Sequence, residues 1–222
     1  MCGRIVVYRP ADVLAALFDA MEAPGLGESF APSFNLAPTR TVAGLVVTAR
    51  GPRVLCPFRW GLRNRLFNAR AETAATSRTF APALRARRLA VLADGFFEWR
   101  AGDGGPSQPL YFHRADGEPL ALAGLWEREE EVVSCTVMTT AAGEDLAGVH
   151  DRMPVVLERN ALAAWLGPGE LRALRRDAIL EPSPAGTLVH HAVDPRVGDV
   201  RNDSSDLIDP FDPPAPPLRL FG

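Results

Sequence analysis

Apolar residues in this chain arrive in short runs. Ten segments of three to eight residues, rich in β-branched and aromatic side chains, lie at 3–8, 41–48, 53–60, 89–92, 96–99, 109–112, 120–125, 132–138, 155–157 and 187–193. Such runs bounded by turn residues read as strands. Helical spacing is confined to 10–21, where Val13, Leu14, Leu17, Phe18 and Met21 share one periodicity, and to 82–88, 160–166 and 169–176. Many short strands with few helices predict an α+β fold with a mainly antiparallel, barrel-like β core and flanking helices. With 222 residues, of which 47% are apolar, the chain is long enough to bury a sizeable core. Residues 1–208 read as one domain, and 209–222 as a proline-rich, extended tail. No apolar run approaches the length of a membrane span, and the N-terminus lacks the shape of a secretory signal. A cytoplasmic location and a monomer are the default expectations.

The net charge of −3 does not suggest a general nucleic-acid binder. Its distribution says more. Between residues 50 and 100 there are eleven arginines against three acids, Glu72, Asp94 and Glu98. That imbalance predicts one local basic face, with scattered solvated arginines as the alternative. All 24 basic residues are arginine. Amine-dependent covalent chemistry is therefore restricted to the α-amine.

The three cysteines are Cys2, Cys56 and Cys135. Their spacing fits neither a disulfide framework nor a zinc site, and no metal or cofactor is expected. Cys56 and Cys135 fall in strand-like runs and read as buried fillers. Cys2 becomes the first residue once Met1 is removed. An α-amine titrates near pH ~8, so part of it is neutral and nucleophilic in a cell. It can condense with an aldehyde to an imine, and the neighbouring thiol can close a five-membered thiazolidine. Met1-Cys2-Gly3 also begins amidotransferases whose cysteine attacks an amide, and a position alone does not separate these chemistries.

Three further clusters carry polar groups worth weighing. In Phe67-Asn68-Ala69-Arg70-Ala71-Glu72-Thr73, Asn68 and Arg70 lie two apart and would share one face of a strand. An amide and a guanidinium there suit a sugar oxygen and a phosphate; a plain Arg–Glu surface pair is the alternative. In Ala93-Asp94-Gly95-Phe96-Phe97-Glu98-Trp99, Asp94-Gly95 reads as a turn and Glu98 is a lone carboxylate in an aromatic run. Apolar surroundings suit a carboxyl for proton transfer, unless it simply edges out to water. Trp60 and Trp99 are candidate stacking faces for unpaired bases. His150 heads the polar cluster His150-Asp151-Arg152-Met153-Pro154, just before a strand expected to start at Pro154.

Seven motifs in order then carry a resemblance. They are Met1-Cys2-Gly3-Arg4, Phe34-Asn35-Leu36-Ala37-Pro38-Thr39, Arg59-Trp60-Gly61-Leu62, Asn68-Ala69-Arg70-Ala71-Glu72-Thr73, Ala93-Asp94-Gly95-Phe96-Phe97-Glu98-Trp99, Ala123-Gly124-Leu125-Trp126-Glu127 and His150-Asp151-Arg152-Met153-Pro154. Together they resemble the SOS-response-associated peptidase (SRAP) family of abasic-site processing proteins, from Cys2 to about Pro210. The resemblance implies a mostly β domain acting on abasic sites in single-stranded DNA. It implies that Cys2 forms a thiazolidine with the ring-opened sugar, that Asn68 holds the sugar or the linkage, and that Glu98 serves as acid and base. It implies that His150 assists ring opening and reversal. Arg4, Asn35, Arg70 and Arg152 would contact the DNA backbone or shape the site. Pro38, Trp60, Thr139 and Met153 would be the walls against which bases stack or wedge. Autopeptidase and lyase activities belong to the same implication. The chain departs from the family in having only Arg63 to Phe67 between the Trp-Gly-Leu and Asn-Ala-Arg motifs, and Phe97 where Tyr is common.

Two other readings remain beside this one. A Cys-nucleophile peptidase or amidohydrolase uses Cys2, Glu98 and His150 but gives no role to the basic and aromatic groups. A non-catalytic DNA-binding module leaves Cys2 without one.

Overall fold

The computed structural model describes residues 2–48, 51–63, 65–102 and 105–212. Thirteen strands occur among them. They are β1 (Ile5–Val7), β2 (Ala20–Glu22), β3 (Ser33–Leu36), β4 (Thr41–Val47), β5 (Arg53–Trp60), β6 (Asn68–Arg70), β7 (Arg88–Ala93), β8 (Gly95–Arg100), β9 (Gln108–Arg114), β10 (Leu120–Glu129), β11 (Val132–Ala141), β12 (Arg152–Pro154) and β13 (Leu188–Ala192). Six short helices flank them: α1 (Ala11–Leu17), α2 (Leu26–Ser29), α3 (Ala71–Ala74), α4 (Ala81–Ala86), α5 (Arg159–Leu166) and α6 (Ala173–Ile179).

The α+β, barrel-like expectation holds. β11, β10, β7, β4 and β5 are paired antiparallel in that order, and parallel pairing of β5 with β11 closes the ring. A second sheet runs β13-β9-β8-β1-β3. Closure leaves the short strands β2 and β12 at the edges of this sheet. The chain passes from barrel to second sheet at one residue, since β7 ends at Ala93 and β8 begins at Gly95. Asp94 makes that junction rather than a hairpin turn. Its side chain is buried and accepts from the amides of Tyr8 (2.7 Å) and Arg9 (3.0 Å) and from the Arg9 guanidinium. Gly95 is required there, because a Cβ would collide with the Tyr111 ring and the Phe112 carbonyl.

Leu89, Val91, Leu122 and Val137 share one face of the barrel strands and Leu45, Leu55 and Leu125 the other, and all seven are fully buried. Trp60 and Trp165 are buried as completely. Each buried indole N–H finds a carbonyl, Phe67 for Trp60 and Leu89 for Trp165, both at 2.9 Å. A buried donor left unpaired costs about 1–3 kcal/mol, so these contacts decide how the large rings can sit. Arg88 is nine-tenths buried at the start of β7 and donates to the carbonyls of Leu84, Arg85, Trp165, Gly167 and Gly169 at 2.6–2.9 Å. One guanidinium thus satisfies the C-terminal ends of α4 and α5, where helices leave carbonyls orphaned.

Several expected boundaries move. The helix expected over 10–21 stops at Leu17, because Asp19 takes a left-handed φ of 51° and residues 20–22 join β5 as a parallel edge strand. Its buried face is Leu14 and Ala15, while Val13, Leu17 and Met21 are exposed. The helix expected over 169–176 lies at Ala173–Ile179. The strand expected at 155–157 is β12, ending at Pro154, followed by an isolated bridge between Val156 and Leu122. Ser33–Leu36 forms a strand that alternation alone did not reveal. Residues 213–222 of the expected tail lie outside the described residues. Not every arginine of the expected basic face is at the surface. Arg88 is internal, Arg53 donates to the Phe18 carbonyl, and Arg63 and Arg87 face Glu127. Arg59, Arg65, Arg70 and Arg78 remain exposed.

No helix among the described residues is long and apolar enough to cross a membrane.

Candidate functional site

The N-terminal segment is held where the two sheets meet. The Phe97 amide donates to the Arg4 carbonyl at 3.0 Å, and Ile5 pairs with Phe96, so Cys2 and Gly3 run beside the Glu98–Trp99 end of β8. From the barrel side, Asn68 Nδ2 donates to the Cys2 carbonyl at 2.8 Å. Asn68 opens β6, which pairs in parallel with β11 at Val137↔Asn68, Met138↔Ala69 and Thr139↔Arg70. Alternation buries Ala69 and turns Asn68 and Arg70 to the other face, as their spacing predicts.

Cys2 is fully buried. Burial pushes its thiol well above the usual range, and the negative field of Glu98 raises it further. That effect places the carboxylate of Glu98, itself buried, within electrostatic reach of the sulfur. Asn68 Oδ1 is buried and has no hydrogen-bond partner among the described residues, so one acceptor at the site stands uncommitted. Cys2, Asn68 and Glu98, far apart in sequence, therefore form one group.

His150 belongs to a neighbouring group. β11 ends between β6 on one edge and β12 on the other, since Thr139 pairs with both Arg70 and Pro154. His150 Nδ1 lies 2.9 Å from the Arg152 amide and 2.8 Å from Asp151 Oδ1. One nitrogen cannot accept from an amide and donate to a carboxylate at once. When Nδ1 accepts from the amide, the neutral ring carries its proton on Nε2. Arg152 donates to Glu72 at 2.5 and 2.9 Å and to the Thr139 carbonyl at 2.6 Å.

Four expected site residues are corrected by their surroundings. Trp60 is fully buried with its N–H committed, so it is a core anchor and offers no stacking face. Thr139 and Met153 are fully buried as well, and act behind the surface. Asn35 is buried in β3, where Nδ2 lies 2.8–3.1 Å from the carbonyls of Val197, Asp199 and Asn202 and Oδ1 accepts from Arg4 at 2.7 Å. It clamps the 195–202 segment against the second sheet. Arg4 shares that clamp through the Val197 carbonyl at 2.6 Å and stacks over Trp99 at 5.7 Å. Trp99 and Pro38 are half-buried and Arg70 is exposed. Glu72, which the sequence offers as an alternative partner for its near neighbour Arg70, pairs instead with Arg152.

Among the described residues, no group of three or more His, Cys, Asp or Glu side chains is arranged to hold a metal ion.

Residues 1–200 match the family described as SOS response associated peptidase (SRAP). The chain belongs to the SRAP family. SRAP relatives include the abasic site processing protein YedK of Escherichia coli (strain K12), 34% identical and covering 95% of this chain and 100% of its own. YoaM of Bacillus subtilis (strain 168), also named an abasic site processing protein, is 30% identical over 94% of this chain and 98% of its own. The SRAP fold recurs in a solved protein from Bacteroides thetaiotaomicron with a TM-score of 0.83 at 18% identity, covering 95% of this chain and 100% of that one. A Bordetella bronchiseptica structure has a TM-score of 0.71 at 27% identity, covering 87% and 100%.

Proposed function

We propose that this SRAP protein captures abasic sites in single-stranded DNA by covalent attachment through Cys2. The observation that carries this reading is the Asn68–Cys2 hydrogen bond, which tethers residue 2 between the two sheets beside the buried Glu98 carboxylate. The names of its relatives support the substrate class.

The chemistry begins with hydrolysis of the Met1–Cys2 peptide, which consumes one water and frees the α-amine. The abasic sugar opens to its aldehyde, with His150 moving the hydroxyl proton. The amine adds to C1′, and loss of the carbonyl oxygen as water leaves an imine. Cys2 Sγ then adds to the imine carbon, while the thiol proton passes to nitrogen. Two bonds form at C1′, to nitrogen and to sulfur, and one water leaves. Glu98 gives and takes the protons of these steps from a site shielded from bulk water. Asn68 Oδ1 accepts from the new N–H or from a sugar hydroxyl. Exposed Arg70, with Arg4 and Arg152, holds phosphates, and Trp99 and Pro38 meet bases. Elimination from the imine gives a lyase route that thiazolidine closure suppresses. The protein acts as a monomer on DNA in the cytoplasm.

A Cys-nucleophile hydrolase fits less well. Such enzymes lower the thiol's pKa to hold a thiolate. Here, in the chain that carries Met1, burial and Glu98 shift it the opposite way.

The test mixes tag-free protein with a single-stranded oligonucleotide bearing one abasic site, followed by a denaturing gel. A heat-stable shifted band that disappears with Cys2→Ala is expected. Peptide hydrolysis without that band would instead select the hydrolase, and a shift seen only on native gels a binding module.

A further inference from the structure

We infer that Glu72 occupies, as an internal stand-in, the place of a DNA phosphate on Arg152, and so sets the site's discrimination against undamaged single strands. The inference rests on the reading above. The Arg152 side chain is 12% exposed and that of Glu72 48%. Glu72 Oε1 and Oε2 take Arg152 Nη1 and Nη2 in a two-pronged contact at 2.5 and 2.9 Å. The remaining donors face inward. Nη2 also reaches the Thr139 carbonyl, and Nε is buried without a partner among the described residues. The edge that Glu72 covers is therefore the edge through which Arg152 meets an incoming strand.

A guanidinium fork that fits a carboxylate fits a phosphodiester equally well. Thr139 is paired with Arg70 on one side and gripped by Arg152 on the other, so the two cations flank it, with Glu72 in the first turn of α3 just beyond Arg70. An undamaged strand gains Arg152 only by displacing Glu72. A strand that also delivers a sugar to Cys2 has the binding energy of that second contact to do so. Glu72 thus acts through Arg152, as a positioning residue.

The experiment uses full-length protein in a Cys2→Ala background, where binding stays non-covalent, with undamaged and abasic single-stranded oligonucleotides across a salt series. One added phosphate contact steepens the log–log salt slope for a single strand by about 0.7, equal to about fivefold at about 0.1 M salt. Glu72→Gln is expected to tighten undamaged-strand binding by about that factor, steepen the slope, and narrow the abasic-to-undamaged preference. The gain is expected to vanish when Arg152→Gln is added. Glu72→Asp, too short to span both nitrogens, is expected to fall between. Weaker binding by Glu72→Gln would mean that Glu72 merely supports Arg152, and an unchanged slope would mean that Arg152 meets no phosphate. Either result overturns the inference while crosslinking by the Cys2-containing protein still stands. Absence of crosslinking by that protein would instead remove the underlying reading.

Discussion

Asn68 Nδ2 lies 2.8 Å from the carbonyl oxygen of Cys2, a bond across 66 positions of sequence that joins the barrel to the chain's reactive end. It fixes where residue 2 sits without touching its amine or thiol. Replacing Asn68 with Ala removes one hydrogen bond worth about 1 kcal/mol and frees the segment. Crosslinking is expected to slow about tenfold, read as the single-turnover rate on an abasic oligonucleotide. A rate within twofold of wild type would mean that the tether is irrelevant to the reaction.

Glu98→Gln keeps the shape of a buried side chain and removes its proton chemistry. General acid–base groups contribute about 10²–10⁴ in rate. Crosslinking is expected to fall by a factor in that range, with the melting temperature unchanged or raised. His150→Ala is expected to affect ring opening, so its defect should shrink on a substrate already held as an open-chain aldehyde. Equal defects on both substrates would contradict the division of roles.

The buried thiols give a pH dependence. Burial raises Cys2 and Cys135 above the ordinary value in the folded chain, so the folded state binds these protons more tightly than the unfolded one. Their contribution is full below the unfolded thiol's range near about 8.5 and is lost as pH rises above it. Urea midpoints are expected to fall between pH 8 and 10, and less so in Cys135→Ala. Alkylation of native protein is expected to reach the half-buried Cys56 first. Rapid labelling of Cys2 in the Met1-bearing chain would contradict the burial described.

Asn35→Ala separates clamp from DNA contact. Three carbonyls of the 195–202 segment and the Arg4 guanidinium lose a buried partner. Stability is expected to drop by about 2 kcal/mol, in the range for unsatisfied buried groups, with the DNA affinity of the folded protein unaltered. Weaker DNA binding at unchanged stability would restore Asn35 as a phosphate ligand.

The strand-rich fold was legible because alternation and short runs survive in the sequence from 88 to 138, where β7, β8, β10 and β11 each pack at least one face in the core. Closure of the barrel was expected only in outline, since it depends on a parallel pairing of β5 with β11 that no local pattern encodes. Asn68, Glu98 and Cys2 were nameable from motifs, and the spacing of Asn68 and Arg70 gave their shared face. Burial was not legible. Trp60 reads the same in sequence whether its indole faces a base or, as here, the Phe67 carbonyl. Arg88 among arginines likewise gave no sign that it caps two helices rather than joining a basic surface.

Intact-mass spectrometry of tag-free protein after incubation with an abasic single-stranded oligonucleotide measures the central claim directly. The expected species has the mass of the chain lacking Met1 plus the oligonucleotide minus one water, and it is absent for Cys2→Ala and for protein retaining Met1. A covalent adduct that still carries Met1, or one that forms with Cys2→Ala, would contradict attachment through the freed amine and thiol of Cys2.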